Sequence, residues 1–298
     1  MTESSRLLLS NGTLQAEIAP QLGARMCRLK ALDGDTDLVM PLGVWRAPEH
    51  GWPKAGAYPL IPYSNRIADS RLAFDGKIHA LTPHPLDLPN TLHGHAQSCA
   101  WQVLAHDSRH AKMSLRERAC GHWPWPFEAG MTFALRANAL DVSFTLRNEG
   151  DSPMPAGLGW HPFLAIDADS TLRFDALRRW ELDAAFLPTG RTRPSSQSTS
   201  LTRGDCEAGD CAIYASEWDG NGTLERRRGT LLITAAAPFT HLVAFAPRGA
   251  PYFCVEPVTH VANGFNLAAR GIEGTGLKVL APGEVFAAQL TLAWEPNR

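Results

Sequence analysis

The hydrophobic pattern along the chain has the two-residue period of β-strands. In Leu140-Asp-Val-Ser-Phe-Thr-Leu-Arg, apolar and polar positions alternate, which puts Leu140, Val142, Phe144 and Leu146 on one sheet face. The run ends at Asn148-Glu-Gly-Asp, a turn signal. Met131-Thr-Phe-Ala-Leu-Arg and Gln289-Leu-Thr-Leu-Ala-Trp repeat the pattern more loosely. Leu231-Leu-Ile-Thr and Leu242-Val-Ala-Phe predict further strands, the second more deeply buried. Asp75-Gly76, set between Leu72-Ala-Phe and Lys-Ile-His, predicts a tight hairpin because both central positions tolerate positive φ. No capped segment of ten or more residues has apolar positions recurring at three and four, so helices are expected to be scarce.

Composition strengthens that picture. Twenty-five glycines and 22 prolines, spread throughout, predict many short strands joined by turns, hence a large antiparallel sandwich or barrel. A length of 298 residues suits one large all-β domain or two ordinary ones. The stretch Gly190 to Asp210, rich in Ser, Thr, Arg and Gly, is expected to be a long exposed loop. Alternating strands and the acid–base candidates described below lie on both sides of it, which favours one domain spanning residues 1–298.

Charge and cysteine usage exclude several classes. A formal net charge of -2 gives no electrostatic reason to expect nucleic acid or an anionic membrane as partner. The run Arg226-Arg227-Arg228 reads as a solvated loop. The opening residues lack the apolar core of a signal peptide, and no stretch reaches the roughly 18 uncharged apolar residues of a membrane helix. A soluble, cytoplasmic protein is expected. The six cysteines contain no CxxC pair, and Cys206 and Cys211 have no matching second pair. Reduced thiols, without a metal site, are the simpler reading.

Four segments carry polar groups where a strand or turn would ordinarily be apolar. In Tyr58-Pro-Leu-Ile-Pro-Tyr-Ser-Asn-Arg-Ile, Asn65 and Arg66 interrupt an apolar, proline-punctuated run. The planar fork of Arg66 suits fixed recognition of oxygen atoms or, equally, neutralisation of a buried carboxylate. In Asn90-Thr-Leu-His-Gly-His-Ala, His93 and His95 share a face if the backbone is extended, as a metal pair would need. Gly94 between them also permits a tight turn, leaving catalytic and hydrogen-bonded structural roles open. In Gly157-Leu-Gly-Trp-His-Pro-Phe-Leu, Pro162 holds His161 extended, and Trp160 is either a sugar-stacking platform or a core residue. In Tyr252-Phe-Cys-Val-Glu-Pro-Val-Thr-His, Glu256 ends an apolar strand, where burial raises a carboxyl pKa toward the range of a general base.

Together and in this order, the segments resemble the aldose 1-epimerase (galactose mutarotase-like) family. The likeness runs through Asn65-Arg66-Ile67, Leu92-His93-Gly94, Gly159-Trp160-His161-Pro162-Phe163, Trp218-Asp219-Gly220, Glu256-Pro257 and a terminal Leu280-Ala-Pro-Gly-Glu turn. These markers span nearly the whole chain. The resemblance implies a large single-domain antiparallel β-sandwich that uses no metal or organic cofactor. It implies Glu256 as general base and His161 as general acid. His93 and Arg66 would contact the sugar near its ring oxygen and anomeric end, Asn65 would join them in substrate binding, and Asp219 would bind sugar hydroxyls. The chain departs from the family where many members carry His-Gly-Gly in place of His93-Gly94-His95, and a tyrosine in place of Phe163.

The implied activity interconverts the anomers of a free aldose. A carboxylate and a protonated imidazole take a proton from the C1 hydroxyl and give one to the ring oxygen, with no redox or covalent step. Three rival readings follow from the same residues. A hexose-6-phosphate 1-epimerase would need added cations, for which Lys54, Arg71 and the Arg226 cluster are candidates. A non-catalytic carbohydrate-binding sandwich would use the tryptophans and Asn65-Arg66 for recognition alone. A metal-dependent enzyme would use His93 and His95.

Overall fold

The computed structural model describes residues 6–44, 53–195, 198–206 and 209–297. Its strands form one 18-stranded hydrogen-bonded network with three two-stranded ribbons beside it, and among the described residues the strands pair antiparallel. The network folds over on itself into two faces around a common apolar core. The expected alternation is present: Leu140, Val142, Phe144 and Leu146 all point into that core from the strand Ala139–Asn148. The Asp75-Gly76 turn joins Arg71–Phe74 to Lys77–Ala80 with φ of 51° and 69°. Among the described residues the one α-helix is the six-residue segment Gly264–Ala269. Among the described residues no helix is long and apolar enough to cross a membrane.

The chain passes between the two faces along its longest strand, Cys211–Arg226. Its first part, Cys211 to Ser216, pairs with His241–Ala246 in the face that carries the site. Its last part, Asn221 to Arg226, pairs with Gly229–Ala235 in the opposite face. The corner between them needs two left-handed residues, Glu217 (φ 55°) and Gly220 (φ 85°). A Cβ on Gly220 would lie 2.1 Å from the carbonyl oxygen of Ala235, so this corner admits only glycine.

The stretch Gly190 to Asp210 corrects the sequence reading. It is not a long loop but contains strand Pro188–Pro194, strand Thr199–Thr202 and a short 3-10 turn, with residues 196–197 and 207–208 outside the described set. Both strands pair with Thr171–Leu182, whose own ladder supplies the backbone partners that a polar surface composition conceals. The arginine run forms a hairpin turn in which Arg227 and Arg228 are exposed, while Arg226 is half-buried and donates to the carbonyl oxygen of Asp37. The five cysteines whose side chains are described are all free thiols.

Candidate active site

Register builds the floor of the site. The strand Gly159–Ala165 pairs Gly159 with Val258 and Phe163 with Cys254, which sets His161 opposite Glu256. On its other side His161 pairs with Tyr58. Beyond Glu256 come Val243 and then Tyr214. These five residues form one transverse row across five adjacent strands. Alternation decides their side: Trp160, Leu164, Phe253 and Val255 enter the core, while His161, Phe163, Cys254 and Glu256 line a cavity on the other face. A slip of one residue would exchange the two sets, so burial of the core also fixes the catalytic candidates. Trp160 is accordingly a core residue and not a stacking platform.

The cavity measures about 440 Å³ and gathers Asn65, Arg66, His93, His161, Tyr214 and Glu256. His161 Nε2 lies 3.3 Å from Glu256 Oε1. Glu256 Oε2 has no hydrogen-bond partner among the described residues. Burial pushes the Glu256 carboxyl up to about 8, with the Arg66 guanidinium opposing. Burial also holds the His161 imidazole well below its usual range, reinforced by the positive charges of Lys54 and Arg25. At neutral pH the pair therefore holds one proton, resting as carboxyl and neutral imidazole. Moving that proton between them produces carboxylate and imidazolium.

The surrounding groups fix both members. The His161 ring stacks on Tyr58 at 4.7 Å and 22°, and packs against Phe163 at 4.7 Å. Beneath Tyr58 lies the buried Arg25 guanidinium, 4.3 Å from the ring centroid. His93 meets His161 edge-on at 5.1 Å. The Asn65 backbone N–H donates to His93 Nδ1 (3.1 Å), and the His93 N–H donates to the Asn65 carbonyl (2.9 Å). Because burial keeps this imidazole neutral, the first bond places its proton on Nε2. Asn65 Nδ2 also donates to the Tyr214 hydroxyl (3.2 Å). Burial pushes that phenol up to about 12, so it stays protonated.

Three left-handed residues allow this exchange: Asn65 (φ 57°), His93 (φ 62°) and Gly94 (φ 61°). The same turn settles the His93–Gly94–His95 question. His93 lines this cavity, whereas His95 lines a neighbouring one of about 510 Å³, so they do not act as a pair on one ligand.

Of the two readings of Arg66, the structure shows the neutralising one. It neutralises a carboxylate, donating from Nε and Nη2 to Asp87 at 2.9 and 2.8 Å, and the resulting planar pair forms part of the cavity wall. Asp87 itself had no marker in the sequence, and neither did Arg25 or Tyr214. Tyr58 stood within a noted segment, yet its stacking role depends on cross-strand register.

Asp219 lies elsewhere. It is exposed at the corner of the long strand, outside the cavity, and its Oδ1 accepts from the Asn221 backbone N–H at 2.9 Å. Trp218 Nε1 donates to the Asn221 carbonyl. The Trp218-Asp219-Gly220 motif is thus explained by turning the chain. Asp210, in contrast, lines the cavity together with Asp87 and Glu256.

Comparison with known proteins bears on the family and the fold. YphB of Escherichia coli K12, an uncharacterized protein, is 25% identical over 256 residues, covering 81% of this chain and 84% of its own. A galactose mutarotase-like protein of Clostridium acetobutylicum superposes with a TM-score of 0.83 at 17% identity, covering 97% of this chain and 95% of its own. An aldose epimerase homologue from C. elegans gives 0.82 at 20% identity, covering 99% and 100%. The fold is that of the galactose mutarotase-like β-sandwiches. The sequence profile of the aldose 1-epimerases matches residues 5–293, and the chain belongs to that family.

Proposed function

We propose that this member of the aldose 1-epimerase family interconverts the α and β anomers of a free aldose by acid–base opening and closing of the sugar ring. The observation that carries the reading is the enclosed His161–Glu256 pair, two titratable groups 3.3 Å apart on the floor of a cavity of small-molecule size.

Glu256 as carboxylate takes the proton of the C1 hydroxyl while His161 as imidazolium gives one to the ring oxygen. The C1–O bond of the ring breaks, the C1 carbonyl forms, and no electrons leave the sugar. The pair is then carboxyl and neutral imidazole, the arrangement that burial favours. After rotation about C1–C2, the carboxyl returns its proton to the C1 oxygen and the imidazole takes one from the attacking hydroxyl. Each half-reaction reverses the other, so one pair serves both directions. His93, through Nε2–H, and Arg66 are proposed to hold the sugar near its ring oxygen, with Asn65 setting the orientation of His93.

The cavity wall favours an uncharged sugar over a sugar phosphate. Lys54 contributes a cation, but Asp210 stands on the same wall and the Arg66 fork is engaged by Asp87. Arg226 lies in a separate cavity beside Asp37 and Asp167, and Arg71 lines neither. The test is anomer exchange, followed by polarimetry or saturation-transfer NMR, with α-D-galactose, α-D-glucose and glucose 6-phosphate. Acceleration of the free sugars over the uncatalysed rate supports the reading. Acceleration of the phosphate alone moves it to a sugar-phosphate epimerase, and binding without acceleration to a carbohydrate-binding protein.

A further inference from the structure

We propose that His95, Cys99 and Glu117 form a binding site for a divalent transition metal of the zinc type, apart from the sugar cavity. A ring nitrogen of His95, the Cys99 sulfur and a Glu117 carboxylate oxygen all lie within 4.8 Å of one another. A tetrahedral centre with bonds of about 2.0–2.3 Å spaces its donors roughly 3.3–3.8 Å apart, so a metal needs only small side-chain adjustments to draw these three in. His95 and Glu117 already stand 3.3 Å apart, nitrogen to oxygen.

Local structure aims all three donors at one point. His95 precedes the short 3-10 turn Ala96–Ser98, and Cys99 follows it, which brings the Cys99 thiol to the His95 carbonyl at 3.3 Å. Glu117 ends the strand His110–Glu117. A hydrogen bond between His95 and Glu117 alone would explain those two residues. It does not by itself call for a third donor, the Cys99 sulfur, at the same point. His122 stacks face to face on His95 at 5.1 Å, and both line the neighbouring cavity.

The donor set, one imidazole, one thiolate and one carboxylate, is of borderline softness and suits zinc or cobalt over magnesium or calcium. Binding replaces the S–H bond of Cys99 by a metal–sulfur bond and releases the proton to solvent, with no change in oxidation state. Three protein ligands leave the fourth position to water. The metal would tie the turn after His93 to the end of a strand, and would therefore raise thermal stability by mass action.

The test uses the full chain after chelator treatment, titrated with cobalt(II) and zinc(II). The expected result is one equivalent of cobalt with a near-ultraviolet thiolate-to-cobalt charge-transfer band, displaced by zinc, and a Tm that rises with zinc concentration. Cys99→Ser abolishes the band, and Glu117→Gln weakens zinc binding by at least about tenfold. Cys120→Ser, altering an exposed neighbouring thiol, leaves both unchanged. Circular dichroism of each variant before metal addition separates loss of the ligand from loss of fold. Absence of stoichiometric cobalt binding, binding without the thiolate band, or a band that survives Cys99→Ser would each overturn the proposal.

Discussion

His161 and Glu256 face each other in cross-strand register, Nε2 to Oε1 at 3.3 Å, with side chains 6% and 3% exposed. Both are mounted on central strands and not on loops, so sheet geometry sets their separation. Such mounting would keep the proposed proton-transfer pair within the narrow tolerance that acid–base chemistry requires.

Removing either partner should stop the chemistry and spare the fold. Glu256→Gln and His161→Asn are each expected to lower kcat by about 10²–10⁴-fold, the usual contribution of one placed acid or base. Polarimetric turnover measured beside thermal melts checks this. Intact turnover in a folded variant takes that residue out of the mechanism.

The shared proton predicts a bell-shaped dependence of kcat/KM on pH. Above about 8 the pair loses its proton, leaving carboxylate and neutral imidazole with no acid. On the acid side it gains a second proton only well below the usual histidine range, leaving carboxyl and imidazolium with no base. The plateau should therefore cover neutral pH, with an alkaline limb near 8 and an acid limb below 6.5. An alkaline limb absent up to pH 10 would contradict the assignment.

The same burial predicts a stability effect. The folded-state pKa of Glu256 is raised from 4.5 to about 8, so the folded protein binds this proton more tightly than the unfolded chain. Its contribution to stability is complete below about pH 4.5 and is lost as pH rises toward 8. Glutamine at this position has no proton to lose. The Tm of Glu256→Gln relative to the parent should accordingly climb between pH 5 and 8 and level off above. A difference independent of pH would show that Glu256 is less desolvated than its surroundings indicate.

The fold and the centre of the candidate site were legible in the sequence for one physical reason. Alternation records which strand face is buried, and His161 and Glu256 stand where that alternation carries a polar group toward the cavity. Asn65, Arg66 and His93 stood out because turns built on left-handed residues need unusual local sequences. Tyr58, Arg25, Asp87 and Tyr214 were not legible, because their roles come from pairing between strands distant along the chain. Asp219 shows the converse. A distinctive Trp-Asp-Gly marked the corner at Gly220, where a Cβ would strike Ala235, and geometry of that kind leaves as clear a mark as a binding site.

Arg66 and Asp219 should respond differently to substitution. Arg66→Ala removes both the fork on Asp87 and the charge that opposes protonation of Glu256. It should raise KM and move the alkaline limb upward. Asp219→Asn alters an exposed corner, and kcat and KM should stay within about twofold of the parent, as for most surface changes remote from a site. A large rise in KM for Asp219→Asn would return that residue to substrate binding.

Gly94 tests whether backbone geometry, and not only side-chain identity, sets the position of His93. Its φ is 61°, and an added Cβ would lie 2.1 Å from the Ile61 carbonyl oxygen, with the Ile61 carbonyl carbon at 2.5 Å. Neither atom belongs to a flexible side chain, so Gly94→Ala must shift the backbone. His93 is the adjacent residue, and its edge-on contact with His161 and its bond from Asn65 leave little room for movement. The substitution is expected to destabilise the fold by about 1–3 kcal/mol and to lower kcat/KM well beyond that of a stability-matched control. Gly76→Ala supplies the control: its φ is 69°, but nothing lies within 4 Å of the added Cβ, and it sits on a hairpin that does not line the cavity. It should lose stability from backbone strain alone and keep its activity. Denaturant midpoints and initial rates on both variants decide the matter. Equal activity in the two would mean that His93 holds its place without the turn.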